Sequence, residues 1–445
     1  MIPPKPESRP KSAGVLERLR RFRGDVFASQ PDSLYDAWMA EQRTPFFRSF
    51  LVNEPGLLRD VLNAPADEMP KHDLLRSALG PLLGNSVFVS NGPDWARARR
   101  IIDPAFQGAG LAALFEPMRG AAEATVARLD SGEMERPMSH LTADAMFRTL
   151  FSRPIEDAQA QAVFEAFRAY QRAQPLLSPL DLVRAPRWMP RPRPRGAAEA
   201  AKIRALIHEM VTTRAAEIAE GRAPDDLATR LMSTPDPVEG RCFTPAEMVD
   251  QIAIFFLAGH ETSASALAWA IWLLAAHPEV QARAAAEALA LPPRIEMRDL
   301  RAAPFLRDVF REVLRLYPPV PMMLRQTARA TRWRGRAVPR GAMVILSPWH
   351  AHRHRRIWQH PDRFDPDRWQ DDAQDSARRG AYYPFSAGPR ACPGAGFAMM
   401  EGVLTLVLIL RRFRLDTLDE QPPEPVAHLT LRARDGIYVA LAPRA

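Results

Sequence analysis

The sequence predicts a mainly α-helical protein with a minor β-sheet, and three observations support this fold class. First, Thr244, Pro245 and Glu247 form a strong helix start, because threonine can cap, proline fits the first helical position and glutamate can complete a capping box. Second, the chain continues to Ala276 without a break in the helical pattern, which gives a helix of ~50 Å. Third, the alternation that is typical of strands is confined to short segments.

The composition is that of an ordinary soluble globular protein. Of the 445 residues, 47% are hydrophobic and 25% are charged, and both fractions are close to average. Proline is the exception: its 43 residues are about twice the usual share, so we expect short connections and sharply ended helices. We interpret residues 1–445 as one large domain, of which residues 1–33 form an irregular N-terminal arm.

The net charge of +8 does not indicate a nucleic-acid binder, which would concentrate its basic residues in one patch. Here basic and acidic residues are interleaved, so a basic docking face for an acidic protein partner is the simpler interpretation. Cys242 and Cys392 are the only cysteines. Two cysteines are too few for a disulfide framework, and this predicts a cytoplasmic location.

No targeting segment or membrane anchor is evident in the sequence. Residues 1–24 are rich in proline, lysine and arginine and have no apolar core. The one long apolar run, Ile252 to Ala276, contains His260 and Glu261, whose transfer into a bilayer would cost several kcal/mol. We therefore expect a buried helix in a protein without a membrane anchor, and a monomer.

The remaining elements follow from apolar spacing and from the positions of proline. A short helix, a strand and a second helix are expected at 34–40, 46–52 and 54–63. The apolar segment 70–89 is interpreted as a loop that is either tucked under the surface or faces a ligand. Further helices are predicted at 94–102, 110–130, 141–150, 158–174, 197–220, 278–291 and 305–317. The proline-dense segment 175–195 is a connection, short strands are expected at about 325–347, and residues 429–441 alternate like a hairpin.

One cysteine lies in a loop that glycines and prolines delimit. Pro393 favours a helix start directly after Cys392, and the free N–H groups and the dipole of that helix would stabilise a thiolate. Gly394 lets a flat ligand come close to the backbone, and Arg390 offers a guanidinium to a neighbouring carboxylate or phosphate. These features predict a thiolate that ligates a metal, with a buried, inert cysteine as the alternative.

An acid and a hydroxyl, Glu261 and Thr262, lie within the apolar long helix, where such groups are costly unless they are paired, hydrated or used. Gly259 would let the helix open locally, so that Thr262 could turn its hydroxyl towards a ligand or water. The alternative is a threonine that hydrogen bonds back to its own helix, with Glu261 turned into a surface groove.

Two further groups of polar residues are ambiguous when taken alone. Glu312 and Arg315 are three residues apart and can pair on one face of a helix, although most such pairs are solvated. His350, His352 and His354 alternate, which on a strand would present three imidazoles to a zinc ion. Neighbouring arginines oppose a dication there, so zinc is the weaker interpretation.

The loop around Cys392 resembles the haem-binding loop of the cytochrome P-450 superfamily. The residues that carry the resemblance are Phe385, Gly388, Arg390, Cys392, Gly394, Phe397, Ala398 and Glu401. The resemblance spans about residues 45–441 and implies the mainly helical cytochrome P-450 fold of a soluble, bacterial-type haem-thiolate monooxygenase. Haem b would lie between the long helix and the cysteine loop, with Cys392 as the ligand of its iron.

The resemblance also implies roles for residues outside the loop. Thr262 would be catalytic by steadying dioxygen and relaying protons, and Glu261 would help from the solvent side. Glu312, Arg315 and Arg363 would form a structural network around the cysteine loop. The residues expected to contact the haem are Trp95, Arg99, Ala258, Arg325, His352, Phe385, Arg390, Cys392 and Gly394.

The expected substrate pocket consists of apolar and methionine side chains, which suit a fatty-acid-like or terpenoid-like substrate. Its candidate residues are Leu75, Leu79, Val87, Phe88, Ile254, Phe255, Val320, Met322, Met323 and Leu431. One atom of O2 would enter a C–H or C=C bond of that substrate. Electrons would come indirectly from NAD(P)H through a separate ferredoxin or flavodoxin with its reductase. Candidates for docking this partner are Arg97, Arg100, Arg353 and Arg356.

Two other classes of function stay open at this point. One is a haem-thiolate enzyme that uses or rearranges a peroxide without reductive oxygen activation, and the presence of Glu261 and Thr262 argues against it. The other is a non-catalytic haem sensor, which would bind haem but oxidise no substrate.

Overall fold

The fold was obtained as a computed structural model that describes residues 1–10, 17, 20–21, 25–44, 47–172, 196–370, 376–418, 421–427 and 429–444. This part of the chain is mainly helical with small sheets, which confirms the predicted fold class. The α-helices are α1 (Pro55–Asn63), α2 (Asp73–Leu83), α3 (Gly92–Ile102), α4 (Gly108–Ala113), α5 (Phe115–Ala127), α6 (Glu135–Phe151), α7 (Ala158–Arg172), α8 (Ala197–Ala219), α9 (Leu227–Ser233), α10 (Pro245–Ala276), α11 (Pro278–Ala290), α12 (Pro304–Leu316), α13 (Pro348–Ala351), α14 (Ser376–Ala381) and α15 (Ala395–Arg412). Short 3-10 helices cover Asp32–Tyr35, Asp103–Phe106, Met297–Ala302, Pro366–Trp369 and Gly388–Arg390.

The strands form small sheets at the margin of the helical body. They are β1 (Met39–Arg43), β2 (Arg48–Val52), β3 (Gly132–Glu133), β4 (Met323–Gln326), β5 (Thr331–Trp333), β6 (Arg336–Val338), β7 (Met343–Leu346), β8 (Phe413–Thr417), β9 (Pro425–Ala427), β10 (Leu431–Ala433) and β11 (Tyr438–Pro443). The largest sheet has the order β1-β2-β7-β4, in which β2 and β7 are parallel and the other pairs are antiparallel.

The hairpin predicted at 429–441 is wrong in its pairing. β10 is antiparallel to β9, and its three residues are paired from Leu431–Ala427 to Ala433–Pro425. β11 instead pairs with β8, which directly follows α15, and with β3. The alternating pattern correctly identified two strands, β10 and β11. Each of them pairs with strands that come earlier in the chain, and they do not pair with each other.

The long helix α10 is central to the core. Its start is as predicted, since the Thr244 hydroxyl accepts the Glu247 N–H and the Glu247 carboxylate accepts the Thr244 N–H. It packs against α6, α8 and α15, among others. From residue 251 to residue 275 every position is buried except Ala258, Gly259 and Thr262. Solvent therefore reaches this stretch of the helix on one narrow face.

Several predicted boundaries shift. The helix predicted at 34–40 is wrong, because a 3-10 turn ends at Tyr35 and β1 begins at Met39. The predicted loop at 70–89 contains α2, whose first turn is capped by His72 as its Nδ1 accepts the Leu74 N–H at 3.1 Å. Pro81 and the nearby glycines disfavour a helix, so the sequence pattern did not indicate this one. Pro81 removes one backbone hydrogen bond near the end of the helix, and the burial of leucines on the inner face offsets this cost.

Residues 1–8 have no regular secondary structure, whereas residues 17, 20 and 21, which were expected to be irregular, are helical. The first residues of the chain are packed onto the protein. The Tyr317 hydroxyl donates to the Pro4 carbonyl at 2.8 Å, and Lys5 pairs with Asp362 at 2.6 Å. The connection predicted at 175–195 lies outside the described residues. In the part of the chain that is described, no helix combines the length and the hydropathy that crossing a bilayer requires.

Candidate active site

The cysteine loop is a compact turn that ends at α15. Gly388 has a φ of 63°, and a Cβ at this position would lie 2.4 Å from the Leu62 carbonyl oxygen, so only glycine fits. The Cys392 N–H donates to the Phe385 carbonyl at 2.8 Å, which closes the loop. The helix begins at Ala395 with Gly394 as its cap. The prediction that Pro393 occupies the first helical position is therefore wrong, because Pro393 precedes the cap.

The protein alone does not stabilise a thiolate at Cys392 as the sequence predicted. The Cys392 side chain is solvent-accessible, yet enough protein surrounds it that burial raises the pKa of the thiol. A hydrogen bond from Gly394 and the charge of Arg99 lower the pKa but do not outweigh burial. A coordinated metal ion would deprotonate the thiol outright, so the loop suits a cysteine that ionises when it binds a metal.

Thr262 and Ala258 lie on the narrow face of α10 that solvent reaches. The Thr262 hydroxyl donates to the Ala258 carbonyl, which is the back-bonded alternative considered from the sequence. Gly259 does not open the helix. A Cβ there would lie 2.6 Å from the Met146 sulfur, so Gly259 lets the Met146 side chain of α6 pack closely on α10.

Glu261 points away from that face and is held by the strand segment at the start of β10. One carboxylate oxygen accepts the Thr430 hydroxyl at 2.5 Å and the Arg432 guanidinium at 2.7 Å. The exposed fraction of the Glu261 side chain is 8%, whereas that of Arg432 is 42%. The acid is therefore neither loose nor in a surface groove, and its cationic partner extends to solvent.

Two buried cations, Lys71 and Arg325, and the partly buried Arg390 form what we call the cationic cluster. No described carboxylate pairs with any of them. Lys71 donates to the Val87 carbonyl at 2.5 Å, and the Arg325 side chain donates only to the carbonyl of its own neighbour Leu324. Nε and Nη1 of Arg390 are buried without a described partner, and the guanidinium lies 4.5 Å from the ring centre of Trp95.

Electrostatics make the cationic cluster unfavourable by itself. Burial, together with the charge of Arg390, lowers the pKa of Arg325 to about 10. Burial and the charge of Arg99 lower the pKa of Arg390 to about 10. Burial, followed by the charges of Arg390, Arg325 and Arg99, places the pKa of Lys71 well below its usual value. The unused guanidinium donors and the excess positive charge fit a dianionic group with two carboxylates.

Arg99, which the sequence predicted to contact the haem, lies at the edge of the cationic cluster. It pairs with Asp103 at 2.8 Å and donates to the Ala391 carbonyl of the cysteine loop at 2.5 Å. It therefore links helix α3 to the residue before Cys392. Its charge is already balanced by Asp103, in contrast to the three clustered cations.

The predicted network forms around Glu312, but Arg363 is not its third member. Glu312 and Arg315 are fully buried and joined by two hydrogen bonds of 2.8 Å. The third cation is Arg368, whose Nε donates to Glu312 at 2.9 Å. The Arg363 side chain is exposed, and this residue contributes only its carbonyl oxygen. The error has a simple cause, because Pro-Asp-Arg-aromatic occurs at 361–364 and again at 366–369.

His352 belongs to the Glu312 network and not to the cationic cluster, so its predicted place at the haem edge is wrong. It is fully buried, its Nε2 accepts the Tyr383 N–H at 3.0 Å, and its carbonyl accepts from Arg315. Burial and the Arg315 charge lower the pKa of His352 to about 3. His350 bonds to Ser347, and His354 stacks on Trp38. No group of residues in the described ranges has the make-up of a metal site built from histidine, cysteine and carboxylates.

The pocket candidates divide into core residues and partly exposed residues. Leu79, Val87, Ile254, Phe255 and Leu431 are buried in the main core. Those that solvent reaches in part are Leu75, Phe88, Val320, Met322 and Met323. The second group is the better source of a ligand-facing surface.

Of the four arginines proposed for partner docking, two are unsuitable. Arg97 and Arg353 are 4% and 1% exposed, because Arg97 is buried against Glu247 and Arg353 stacks on Trp349. Arg100 is engaged with Asp236 through two hydrogen bonds. Arg356 is the candidate whose side chain is exposed.

Sequence reasoning missed four residues that contribute to these sites: Lys71, Arg368, Thr430 and Arg432. Lys71 had a weak signal, as one of only four lysines in a chain that contains 60 lysines and arginines together. Arg368 was obscured by the repeated motif. Thr430 and Arg432 gave no signal, because they are about 170 residues from Glu261 in the chain.

Comparison with known proteins shows which family the chain is similar to. The chain matches the family model described as Cytochrome P450 over residues 36–440. Cyclooctat-9-en-7-ol 5-monooxygenase of Streptomyces melanosporofaciens is 34% identical over 392 residues, covering 85% of this chain and 82% of the relative. Leukotriene-B4 omega-hydroxylase 3 of Mus musculus is 31% identical over 424 residues, covering 87% of this chain and 79% of the relative.

A solved structure also matches in fold. The crystal structure of the cytochrome P450DA haem domain superposes with a TM-score of 0.80 at 23% identity, covering 100% of this chain and 98% of that chain. Membership of the family implies haem iron, the use of O2 and electrons from a redox partner. The family model covers nearly the whole chain, and the two relatives are named as a monooxygenase and a hydroxylase. The chain therefore belongs to the cytochrome P450 family and is a monooxygenase of that family.

Proposed function

We propose that Cys392 ligates the iron of haem b and that the cationic cluster binds the two haem propionates. The observation that carries this proposal is the group of three cations, two of them buried and one partly buried, that have no described carboxylate partner and lie next to the helix that contains Trp95. A dianion would relieve their mutual repulsion and engage the unpaired donors of Arg390. Trp95, Arg99, Ala258, Phe385 and Gly394 would complete the surroundings of the cofactor.

When bound, a haem iron with a thiolate ligand supplies oxygen activation, because electron donation from sulfur favours O–O cleavage. Inserting one atom of O2 into a C–H bond consumes two electrons and two protons and releases water. Cys392 would hold the iron as a thiolate, and the hydrogen bond that the Gly394 N–H donates to its sulfur would favour that form. Glu312 would act structurally in this proposal, because it joins Arg315 and Arg368 in one ion-pair network.

Thr262 and Glu261 handle the protons in this proposal. The Thr262 hydroxyl is on the solvent-reached face of α10 and donates to the Ala258 carbonyl. Rotation about its Cα–Cβ bond would release that carbonyl and let the hydroxyl donate towards the reaction. Glu261, the preceding residue, would resupply the proton from the other side of the helix.

We further propose an apolar substrate of fatty-acid-like or terpenoid-like character. The partly exposed candidates Leu75, Phe88, Val320, Met322 and Met323 are apolar, and such a surface suits a ligand with few polar groups. Relatives named for cyclooctat-9-en-7-ol and for leukotriene B4 support this class of substrate. Electrons would originate from NAD(P)H and arrive through a ferredoxin or flavodoxin with its reductase.

The ligand assignment is tested by Cys392→Ser, with Cys242→Ser as the matched control because Cys242 is the only other cysteine. The reduced, carbon-monoxide-bound protein should show the red-shifted Soret band of thiolate ligation. Cys392→Ser should lose that band and Cys242→Ser should keep it. A band that survives Cys392→Ser contradicts the assignment.

Turnover distinguishes the proposed monooxygenase from the other classes. Oxidation of members of a fatty-acid and terpenoid panel should require NAD(P)H and surrogate electron carriers. Product formed with peroxide alone, and not with NAD(P)H and carriers, would indicate a peroxygenase. Carbon monoxide binding without oxidation of any compound or consumption of reductant would indicate a sensor.

A further inference from the structure

The loop that joins α2 to α3 carries two candidates for the substrate pocket, Val87 and Phe88. We call residues 84–90 the clamped loop. Val87 is buried, whereas solvent reaches Phe88 in part. Local turns give this loop its shape, since the Ser86 N–H donates to the Leu83 carbonyl at 3.0 Å. Such turns do not attach the loop to the rest of the fold, so other groups must fix its position.

Two consecutive side chains of the long helix α10 attach the clamped loop. The Asp250 carboxylate accepts the Asn85 N–H at 2.7 Å, and the Gln251 amide oxygen accepts the Val87 N–H at 2.9 Å. Gln251 is 3% exposed, so water cannot readily replace it as the partner of the Val87 N–H. Both bonds go to the backbone of the loop, and they therefore fix its main chain against the helix.

Other elements hold the same loop from different directions. Arg204 of α8 lies 2.8 Å from the second carboxylate oxygen of Asp250 and donates to the Leu82 carbonyl, near the end of α2, at 3.0 Å. The buried Lys71 donates to the Val87 carbonyl at 2.5 Å. Buried side chains from distant segments thus hold both the N–H and the carbonyl of Val87. The loop cannot shift away from α10 without breaking several of these bonds.

The clamped loop lies at one end of the open face of α10. Ala258 and Thr262, which solvent reaches, follow Gln251 by nearly two and about three helical turns, so the three side chains project to the same side. Gln251 is buried because the loop covers it. At a rise of about 1.5 Å per residue, this cover lies about 10 Å along the helix from Ala258. The loop is therefore placed to form an end wall of the space beside Ala258.

A second buried glutamine attaches a different segment in the same way. Gln281 of α11 is also 3% exposed. Its amide oxygen accepts the Leu415 N–H at 2.9 Å and its amide nitrogen donates to the Leu415 carbonyl at 2.8 Å. Leu415 belongs to β8, where no pocket candidate lies. Gln251 and Gln281 thus share their chemistry and burial and differ in the segment that they hold, which makes Gln281 the matched control.

We propose that Gln251 and Asp250 are positioning residues for substrate selectivity: they hold residues 84–90 against α10 as a fixed end wall of the substrate pocket. This inference rests on the proposed function, because it names the part of the proposed pocket that limits the length of the ligand. An apolar pocket with fixed walls discriminates between ligands that differ by one methylene by about 10- to 200-fold. A loop held only by its local turns would move aside and lose this discrimination.

The first test measures the clamp without substrate. Amide hydrogen exchange of residues 84–90 is compared in wild type, Gln251→Leu, Gln251→Glu and Gln281→Leu. Gln251→Leu leaves the buried Val87 N–H without its acceptor, so its exchange should be about tenfold faster. Gln251→Glu keeps an acceptor and should stay close to wild type, and Gln281→Leu should speed exchange in β8 instead. Unchanged exchange of residues 84–90 in Gln251→Leu would overturn the inference.

The second test measures selectivity. From the fatty-acid and terpenoid panel, the compound that binds most tightly is compared with its homologue that is one methylene longer, by spin-shift titration and by kcat/KM. Gln251→Leu should reduce the ratio of the two kcat/KM values about tenfold, mainly through a lower KM for the longer homologue, and should spread oxidation over neighbouring carbon atoms. Gln251→Glu should restore the ratio. Gln281→Leu should lower the urea midpoint as Gln251→Leu does and leave the ratio and the oxidised positions unchanged.

The outcomes separate this inference from the proposed function. If exchange rises in Gln251→Leu but its selectivity matches that of Gln281→Leu, the clamp is only structural and the inference is wrong. If no panel compound binds to wild type, the proposed substrate class is wrong, and the length series is run on a straight-chain alkyl imidazole series that binds the iron directly. If Gln251→Leu does not fold, Gln251→Asn replaces it, because its amide is one methylene too short to keep the bond to Val87.

Discussion

Two groups of buried charges in this protein differ in how their charge is balanced. In the Glu312 network, one carboxylate bonds to both Arg315 and Arg368, and carbonyl oxygens accept the remaining donors. Burial alone would raise the pKa of Glu312, but the two arginines and the hydrogen bonds outweigh it and the pKa is lowered. In the cationic cluster of Lys71, Arg325 and Arg390, no described carboxylate plays the part of Glu312.

This difference in charge balance indicates that the Glu312 network is structural and that the cationic cluster is suited to binding an anion. Buried ion pairs are stable only when their donors and acceptors are satisfied within the protein, and the Glu312 network meets this condition. The cationic cluster does not, since burial and the positive charge of neighbouring arginines lower the pKa of all three of its members. A folded protein keeps such a cluster at a cost to stability, which a bound dianion can offset.

The largest expected effect concerns the complete network. Arg368→Ala leaves the buried Glu312 with a single cation, so we expect a loss of about 3–5 kcal/mol in the free energy of unfolding and little haem-loaded protein. The matched control is Arg363→Ala, whose side chain is exposed and should change stability by about 0.5 kcal/mol or less. Urea unfolding and haem content measure both. A larger loss of stability for Arg363→Ala than for Arg368→Ala would mean that Arg363, and not Arg368, completes the Glu312 network.

Removing a charge from the cationic cluster should increase the stability of the haem-free protein, whereas removing one from the Glu312 network should decrease stability. Arg325→Met removes a buried, poorly bonded cation, so the haem-free protein should be about 1 kcal/mol more stable. Haem should leave the loaded variant faster, because one propionate partner is lost. Urea unfolding of the haem-free protein and haem transfer to a scavenging protein measure the two effects. Arg329→Met, an exposed arginine paired with Glu68, is the control and should change neither quantity. A less stable haem-free Arg325→Met variant that retains haem normally would refute the comparison.

A third buried group is a single acid, Glu401, whose contribution to stability depends on pH. Glu401 is fully buried on α15 without a hydrogen bond of good geometry, although the Ser263 hydroxyl is near, and burial raises the pKa of Glu401 to about 8. The folded protein therefore keeps a proton that the unfolded chain releases above its ordinary pKa of 4.5. Stability from this group is complete below that value and is lost as pH rises to about 8.

Glu401→Gln cannot titrate, so its stability relative to wild type should increase across that window, by at most about 1.4 kcal/mol per pH unit. Urea unfolding at several pH values between about 5 and about 8 measures the trend. Glu165→Gln, at an exposed carboxylate, should show no trend. A constant difference between Glu401→Gln and wild type would mean that Glu401 is ionised in the fold.

The smallest effect is expected for an exposed charge. Arg356 is solvent-exposed and near Trp38, so charge reversal should act only through attraction to an acidic electron donor, which salt screens. Arg356→Glu should raise KM for a ferredoxin about two- to threefold at low ionic strength and leave stability unchanged. Arg43→Glu, with 70% of its side chain exposed on β1, is the control. Equal KM values for Arg356→Glu and Arg43→Glu would mean that Arg356 does not contribute to docking of the ferredoxin.

The cysteine loop and the long helix could be predicted because their signals are local. Eight residues between Phe385 and Glu401 carry the loop pattern, and the capping residues at Thr244 and Glu247 start the helix where the structure has it. Arg363 was chosen in place of Arg368 because two identical local patterns occur five residues apart. His352 was misplaced because its environment depends on Tyr383 and Arg315, which no local pattern reports.

The sequence by itself determined the fold class and the family, because short patterns with fixed spacing encode them. Only the tertiary structure brought Lys71 to Arg325 and Arg390, and only it placed Thr430 and Arg432 on Glu261. The physical reason is that charge balance and burial belong to groups of side chains from distant segments. A single residue in the sequence carries its charge, but the packing of the fold determines whether that charge is paired, screened or available to a ligand.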